Sequence, residues 1–175
     1  LAACHDLGEH ALLAYALLAV GANNAGNARW QEASTNLNEA ANLISHLKDK
    51  RQFEDCLSHQ AHLKFYEGDF AASRELYERA MHSAAKRNDK QIINRCNAGI
   101  AGILLAMNEL HEACAILKTT NSWGQYALCL LRLGKNEEAF EKALKVKDRF
   151  KGPRTKYYVL KAFTSTSEVF LKLLE

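Results

Sequence analysis

Two groups of side chains have the residue types and spacing that could bind a metal ion. Cys56, His59 and His62 follow one another at intervals of three residues, and His111 precedes Cys114 by the same interval. Thiolate and imidazole groups are good zinc ligands. Residues three apart on a helix drift around its surface by about 60° per step, so a tetrahedral site would need help from another helix. We favour the alternative, buried cysteines beside partly exposed histidines, and predict no metal site.

Catalytic motifs are missing from the sequence. It contains no Gly-x-Ser-x-Gly segment and no glycine-rich loop that could cradle phosphate. Gly99 and Gly102 lie inside a helical pattern, where small residues let a neighbouring helix approach closely. The run from Thr164 to Ser167 could be phosphorylated if exposed, but small residues bonding back to the helix backbone are the favoured interpretation. We therefore predict no catalytic residue, no cofactor and no enzymatic activity.

The composition is typical of one all-α domain spanning residues 1–175. Proline occurs once, and the 23 basic and 20 acidic residues leave a net charge of +3 with no basic block. This balance does not favour nucleic acid or an anionic membrane as a partner. Five cysteines, none in a Cys-x-x-Cys pair, indicate reduced thiols in a cytoplasmic protein. The apolar run 11–20 is too short to span a bilayer.

Apolar residues spaced by three and four predict nine helices and no strand. The predicted helices cover residues 10–22, 28–47, 53–67, 70–86, 91–107, 110–117, 123–133 and 136–150, followed by a terminal helix after Pro153. We expect the first helix to stop at the segment 21–27, which is rich in Gly and Asn. Asp69 is placed to cap the helix that follows Gly68, and Asn88 with Gln91 has the spacing of a capping box. Trp30 is predicted to pack in the core.

A small residue recurs five positions after each predicted turn. These residues are Ala33, Ser73, Ala113 and Ala139, with spacings of 40, 40 and 26. A helix pair that cannot bury its own apolar stripe must stack on its neighbours, so the pattern predicts an array that is stable only as a set.

These residues resemble the tetratricopeptide repeat family. The clearest copy comprises Trp123, Tyr126, Ala127, Leu130, Gly134 and Ala139, which match the family's positions in order. A second copy matches at Gly68, Phe70, Tyr77 and Ala80 but has Lys64 where a large apolar residue is usual. The resemblance implies a right-handed α-α superhelix, or solenoid, of about four helix pairs plus a terminal helix.

A narrower resemblance concerns the order of four segments, residues 51–57, 65–70, 98–106 and 167–175. Their arrangement looks like the helical-repeat tails of multidomain signalling proteins that carry class III adenylate or guanylate cyclase domains and an AAA-type ATPase domain. No cyclase or ATPase motif lies in this chain, so no catalytic residue is carried over. The resemblance implies a fragment of a longer protein.

The family's register also implies a concave groove lined by the first helix of each pair. Its lining would include Asp55, Ser58, His62, Phe65, Tyr66, Arg95, Leu128 and Arg132. The implied function is a non-catalytic scaffold that binds protein or peptide segments, or neighbouring domains of its parent chain. The alternative is an element for homotypic oligomerisation of the parent protein, and a remote alternative is a zinc-binding protein or enzyme.

Overall fold

Every regular element in the described part of the chain is an α-helix. The computed structural model describes residues 9–47, 49–149 and 158–175, and these ranges contain nine helices and no strand. The helices are α1 (His10–Gly26), α2 (Trp30–Leu47), α3 (Lys50–Tyr66), α4 (Phe70–Ala85), α5 (Lys90–Ala106), α6 (Leu110–Lys118), α7 (Trp123–Arg132), α8 (Asn136–Arg149) and α9 (Tyr158–Lys172). The predicted all-α class is therefore confirmed.

The buried stripe of α2 shows why the spacing of apolar residues predicts helices. Its buried residues are Ala33, Leu37, Ala40 and Ile44, which follow one another at intervals of three or four and so share one face. The predicted stripe began at Trp30, and that part of the prediction is wrong, because Trp30 is 38% exposed.

Five helices are followed, within three residues, by a residue in the left-handed backbone conformation. These residues are Ala28 (φ 58°), Gly68 (φ 81°), Asn88 (φ 53°), Asn108 (φ 62°) and Gly134 (φ 76°). After each of them, a backbone amide donates to the carbonyl five residues back: Arg29 to Asn24 (2.9 Å), Asp69 to Lys64 (3.0 Å), Asp89 to Ala84 (3.1 Å), Glu109 to Leu104 (2.8 Å) and Lys135 to Leu130 (2.9 Å). This bond defines the Schellman motif, which satisfies a carbonyl that the helix itself leaves unpaired.

The small residue five positions after four of these turns is fully buried. Ala33, Ser73, Ala113 and Ala139 are each 0% exposed. The Ser73 hydroxyl also donates to the Ala61 carbonyl at 2.7 Å, which ties the start of α4 to α3. The same local geometry therefore occurs at all four positions chosen from the sequence.

Two predicted helix boundaries are wrong, for different reasons. Helix α1 continues through Gly21 to Gly26. A Cβ atom at position 21 would lie 2.8 Å from Cγ of Leu37, so this glycine permits close packing and does not end the helix. The capping box at Asn88 is also absent, because the carboxylate of Asp89 caps α5 by accepting from the amides of Gln91 and Ile92 at 3.2 Å each.

The chain divides into two compact units, Leu1–Gly99 and Ile100–Glu175, and the boundary falls inside α5. In the first unit α1 packs on α2 and α3, α2 packs on α3, and α3 packs on α4. In the second unit α6 packs on α7, while α7, α8 and α9 pack on one another. The single domain spanning residues 1–175 stays a prediction.

Candidate functional site

The eight residues predicted to line a groove occupy three places. His62, Phe65 and Tyr66 lie at the end of α3 and join an aromatic cluster. Asp55 and Ser58 of α3 meet Arg95 of α5. Leu128 and Arg132 lie on α7, in the second unit.

The aromatic cluster comprises Trp30, His62, Phe65, Tyr66 and Phe70. Trp30 and Tyr66 stack with ring centroids 5.6 Å apart, and the His62 ring lies 5.0 Å from Tyr66. Phe65 and Phe70 are 5.6 Å apart on the other side of the cluster. Such separations are favourable for aromatic pairs. The cluster forms because the first residues of α2 and α4 meet the last turn of α3.

Two members of the aromatic cluster are open to solvent. Trp30 is 38% exposed and Tyr66 is 42% exposed, whereas the other three are half-buried. Partial burial raises the pKa of the Tyr66 phenol above its ordinary value, so the hydroxyl stays neutral at pH 7. The cluster therefore presents two partly exposed aromatic rings, one of which carries a neutral hydroxyl.

A polar bridge joins α3 to α5 within the first unit. The Arg95 guanidinium pairs with the Asp55 carboxylate, and its Nη1 lies 3.3 Å from the Ser58 hydroxyl. That hydroxyl donates to the Asp55 carbonyl at 2.7 Å. Asp55 and Arg95 side chains are 32% and 38% exposed, so a ligand could reach both charges. The two charges compensate one another, and the bridge has no net charge to attract a ligand from a distance.

Sequence reasoning missed a second ionic group, centred on Glu54. Its carboxylate is 0% exposed, accepts from the Ser83 hydroxyl at 2.6 Å and pairs with the Arg87 guanidinium. The sequence held a usable signal, because Glu54 lies three residues before Leu57 and seven before Ala61 and so falls on the buried stripe of α3. A carboxylate at such a position needs buried partners.

The two predicted residues of α7 differ in exposure. Leu128 is 6% exposed and packs in a core cluster with Leu130 and Val169. Arg132 donates from Nη1 to the Leu105 carbonyl at 3.2 Å and from Nη2 to Oε1 of Glu168 at 3.0 Å. Its side chain is 37% exposed, so Arg132 rather than Leu128 is open to a partner.

Two of the residues considered as metal ligands, Cys56 and His59, lie where burial disfavours the charged form of the side chain. The Cys56 thiol donates to the Leu37 carbonyl at 3.3 Å, and burial raises the pKa of Cys56 to about 12. Burial also lowers the pKa of His59 to about 4, so its imidazole is neutral at pH 7. In residues 9–47, 49–149 and 158–175, no three His, Cys, Asp or Glu side chains come together in a way that could hold a metal ion.

Two further observations concern membrane-spanning helices and similarity to known proteins. No helix within the described ranges has the length and apolar character needed to cross a membrane. No protein-family model, curated protein or solved structure matches this sequence.

Proposed function

We propose that this chain is a non-catalytic interaction scaffold, a tetratricopeptide-like array of about four helix pairs plus a terminal helix. It binds peptide segments or neighbouring domains of a cytoplasmic signalling protein. The observation that carries this proposal is the aromatic cluster, which leaves Trp30 and Tyr66 exposed on a well-packed support.

Contacts between helices support the array. Helix α3 reaches α2 through Cys56 and the Leu37 carbonyl, and it reaches α4 through the Ala61 carbonyl and Ser73. It also reaches α5 through the polar bridge, whose partners Asp55 and Arg95 are 40 residues apart. A helix that contacts its own pair and both neighbouring pairs is what a stacked array requires.

The aromatic cluster has the properties of an interaction hot spot. Trp and Tyr are enriched among the residues that contribute most to binding, partly because each ring gives a large contact area with few rotatable bonds. Here the Tyr66 ring contacts the rings of both His62 and Trp30, so little rotamer entropy remains to be lost on binding. The polar bridge supplies a charged pair for hydrogen bonds to a bound segment.

A peptide-display selection against the purified chain tests this proposal. We expect selected peptides whose dissociation constant, measured by fluorescence anisotropy, rises about 30-fold in Tyr66→Ala and Trp30→Ala, the loss of a residue worth about 2 kcal/mol. Tyr15→Ala is the matched control, because Tyr15 is an aromatic residue of the same unit with 59% exposure and lies outside the aromatic cluster. Peptides that bind all three variants as tightly as the wild type would remove the cluster from the binding site.

Homotypic assembly is a second candidate, favoured by an exposed apolar surface in the second unit. Leu171 is 64% exposed and Leu174 is 85% exposed, while Phe140 and Leu144 of α8 are 44% and 39% exposed. The Phe140 ring lies 6.0 Å from the ring of Phe170, which connects the two helices of this surface. An apolar surface formed by such residues would suit a protein interface.

Analytical ultracentrifugation distinguishes this second candidate from the first. Self-association through this surface predicts a mass that rises with concentration over the micromolar range, and Leu171→Lys should abolish the rise. Lys172→Ala is the control, since it changes the neighbouring exposed residue without placing a charge on the apolar surface. A constant monomer mass at every concentration would eliminate homotypic assembly and leave peptide binding untouched.

A further inference from the structure

Two free thiols meet where α6 packs on α7 in the second unit. Cys129 of α7 donates from Sγ to the Leu110 carbonyl of α6 at 3.1 Å. Cys114 lies four residues, about one helical turn, beyond Leu110 on the same helix. Cys114 packs against the core cluster that contains Ala127 and Leu130 of α7, so both cysteines lie where α6 meets α7.

The first unit contains the same arrangement with one thiol. Cys56 of α3 donates to the Leu37 carbonyl of α2, again across 19 residues of sequence. Four residues beyond Leu37 stands Ala41, which packs against the core of that unit. A small apolar side chain therefore fills this position without a second sulfur, and packing alone does not require cysteine at position 114.

We propose that Cys114 and Cys129 are a redox-active pair, which closes to a disulfide between α6 and α7 when a hydroperoxide oxidises Cys114. In the first step Cys114 loses its proton and the thiolate attacks the peroxide. The O–O bond breaks, a sulfenic acid forms, and the departing hydroxide or alkoxide takes up the released proton and leaves as water or an alcohol. In the second step the Cys129 sulfur attacks the Cys114 sulfur, and the S–O bond breaks. The departing hydroxide takes the Cys129 proton and leaves as water, so the two thiols lose two electrons and the peroxide gains them.

The order of the two steps follows from exposure. Cys114 is half-buried, whereas Cys129 is 0% exposed. Burial raises the pKa of Cys129 to about 12, which keeps it as a thiol that is inert toward peroxide. The accessible Cys114 is therefore the residue that meets the oxidant, and Cys129 is the resolving residue. A thiol reductant reverses the reaction by exchange.

Peptide mapping of the wild-type chain tests this proposal without any substitution. The reduced protein is treated with hydrogen peroxide, blocked with N-ethylmaleimide while unfolded, and digested without reductant. Trypsin alone leaves Cys96 and Cys114 on one peptide, so a second digestion after Glu109 and Glu112 is needed to separate them. Before alkylation we expect an intact mass lower by two hydrogen atoms. After digestion we expect peptide 113–118 linked to peptide 119–132. Dithiothreitol should reverse both changes.

Three controls make the result specific. Cys114→Ser should lose the linked pair. Cys56 of the wild type should remain fully alkylated, because Ala41 stands in the first unit where Cys114 stands in the second. Oxidation in guanidinium chloride should give mixed pairings, since the unfolded chain brings no two cysteines together. The proposal is overturned if folded protein gives Cys114 sulfinic acid with Cys129 still alkylated. It is equally overturned if the linked pair joins two chains, or is no more abundant in folded than in unfolded protein.

Discussion

The buried carboxylate of Glu54 allows a quantitative prediction about stability. We expect a double-mutant cycle of Glu54→Gln and Arg87→Gln to give a coupling free energy of about 2 kcal/mol. Removing one partner of a fully buried ion pair costs about 3–5 kcal/mol. Here only Glu54 is fully buried. The Arg87 side chain is 33% exposed and lies 3.7 Å from the Asp89 carboxylate, so it keeps a second partner when Glu54 is replaced. The expected coupling is therefore lower than that range but well above the value for a surface pair.

The surface pair Arg74 and Glu78 of α4 is the matched control. Its atoms are 3.3 Å apart and its side chains are 41% and 55% exposed, so its coupling should be about 0.3–0.5 kcal/mol. Both cycles are measured by urea unfolding in a Trp123→Phe background, where Trp30 fluorescence reports on the first unit and circular dichroism on the whole chain. Equal coupling in the two pairs would refute the reasoning that burial of Glu54 strengthens its ion pair.

Further perturbations should change the stability in a direction that the structure predicts. Gly124→Ala should destabilise the protein by about 1–2 kcal/mol in urea unfolding, because the new Cβ would lie 2.6 Å from the Ala162 carbonyl oxygen. This loss should exceed the gain from the better helix propensity of alanine. A gain in stability would contradict the close approach of the two helices. Ala28→Gly should stabilise by about 0.5–1 kcal/mol, since Ala28 has φ 58°, and Gly68→Ala should lose a similar amount in the same assay. Burial lowers the pKa of His59 from 6.5 to about 4, so between these pH values the proton binds mainly to the unfolded chain. The free energy of unfolding should therefore fall by roughly 3 kcal/mol as the pH drops through this range, since one pKa unit corresponds to about 1.4 kcal/mol. His59→Gln should flatten that part of the pH profile, and an unchanged slope would assign the loss to other groups.

The helices could be predicted from the sequence because helical periodicity is a local property. The spacing of Ala33, Leu37, Ala40 and Ile44 is that of one helix face whatever lies opposite, and the structure buries all four. The cap at Asp69 was predictable for the same reason, since its carboxylate accepts from the amide of Ala72, three residues away. Interactions within one helical turn involve residues that are close in sequence, so the sequence alone can predict them.

Two of the wrong predictions, the helix end at Gly21 and the burial of Trp30, depend on tertiary contacts. Gly21 has the residue type of a helix end, but its missing side chain makes room for Leu37 of the next helix. Trp30 lies in register with a buried stripe, but α2 begins there and nothing covers the whole ring. Neither outcome can be read from residues within one turn, because each is decided by a helix further along the chain.

The sequence selected the two charged residues of the polar bridge, but it did not predict that they pair with each other. The resemblance to tetratricopeptide repeats selected Asp55 and Arg95 separately. Their pairing across 40 residues appears only when α3 and α5 are placed together. In contrast, Glu54 could have been identified, because its position on an apolar stripe already required a buried cation or hydroxyl. An acidic residue on the buried face of a helix indicates a buried ion pair or hydrogen bond. An analysis that considers only apolar residues does not detect it.

The helix ends also explain how different residue types give one local geometry. Each of the five left-handed positions is followed by the same amide-to-carbonyl bond, although the residue is Gly at two positions, Asn at two and Ala at one. For Ala this conformation costs about 1–2 kcal/mol relative to the right-handed form. The cost at Ala28 is tolerated because the Arg29 amide satisfies Asn24 at 2.9 Å, and because α2 then starts in register to bury Ala33. Gly and Asn at the other four positions favour the left-handed conformation themselves, so Ala28 is the one of these five helix ends at which hydrogen bonding and packing must offset the cost.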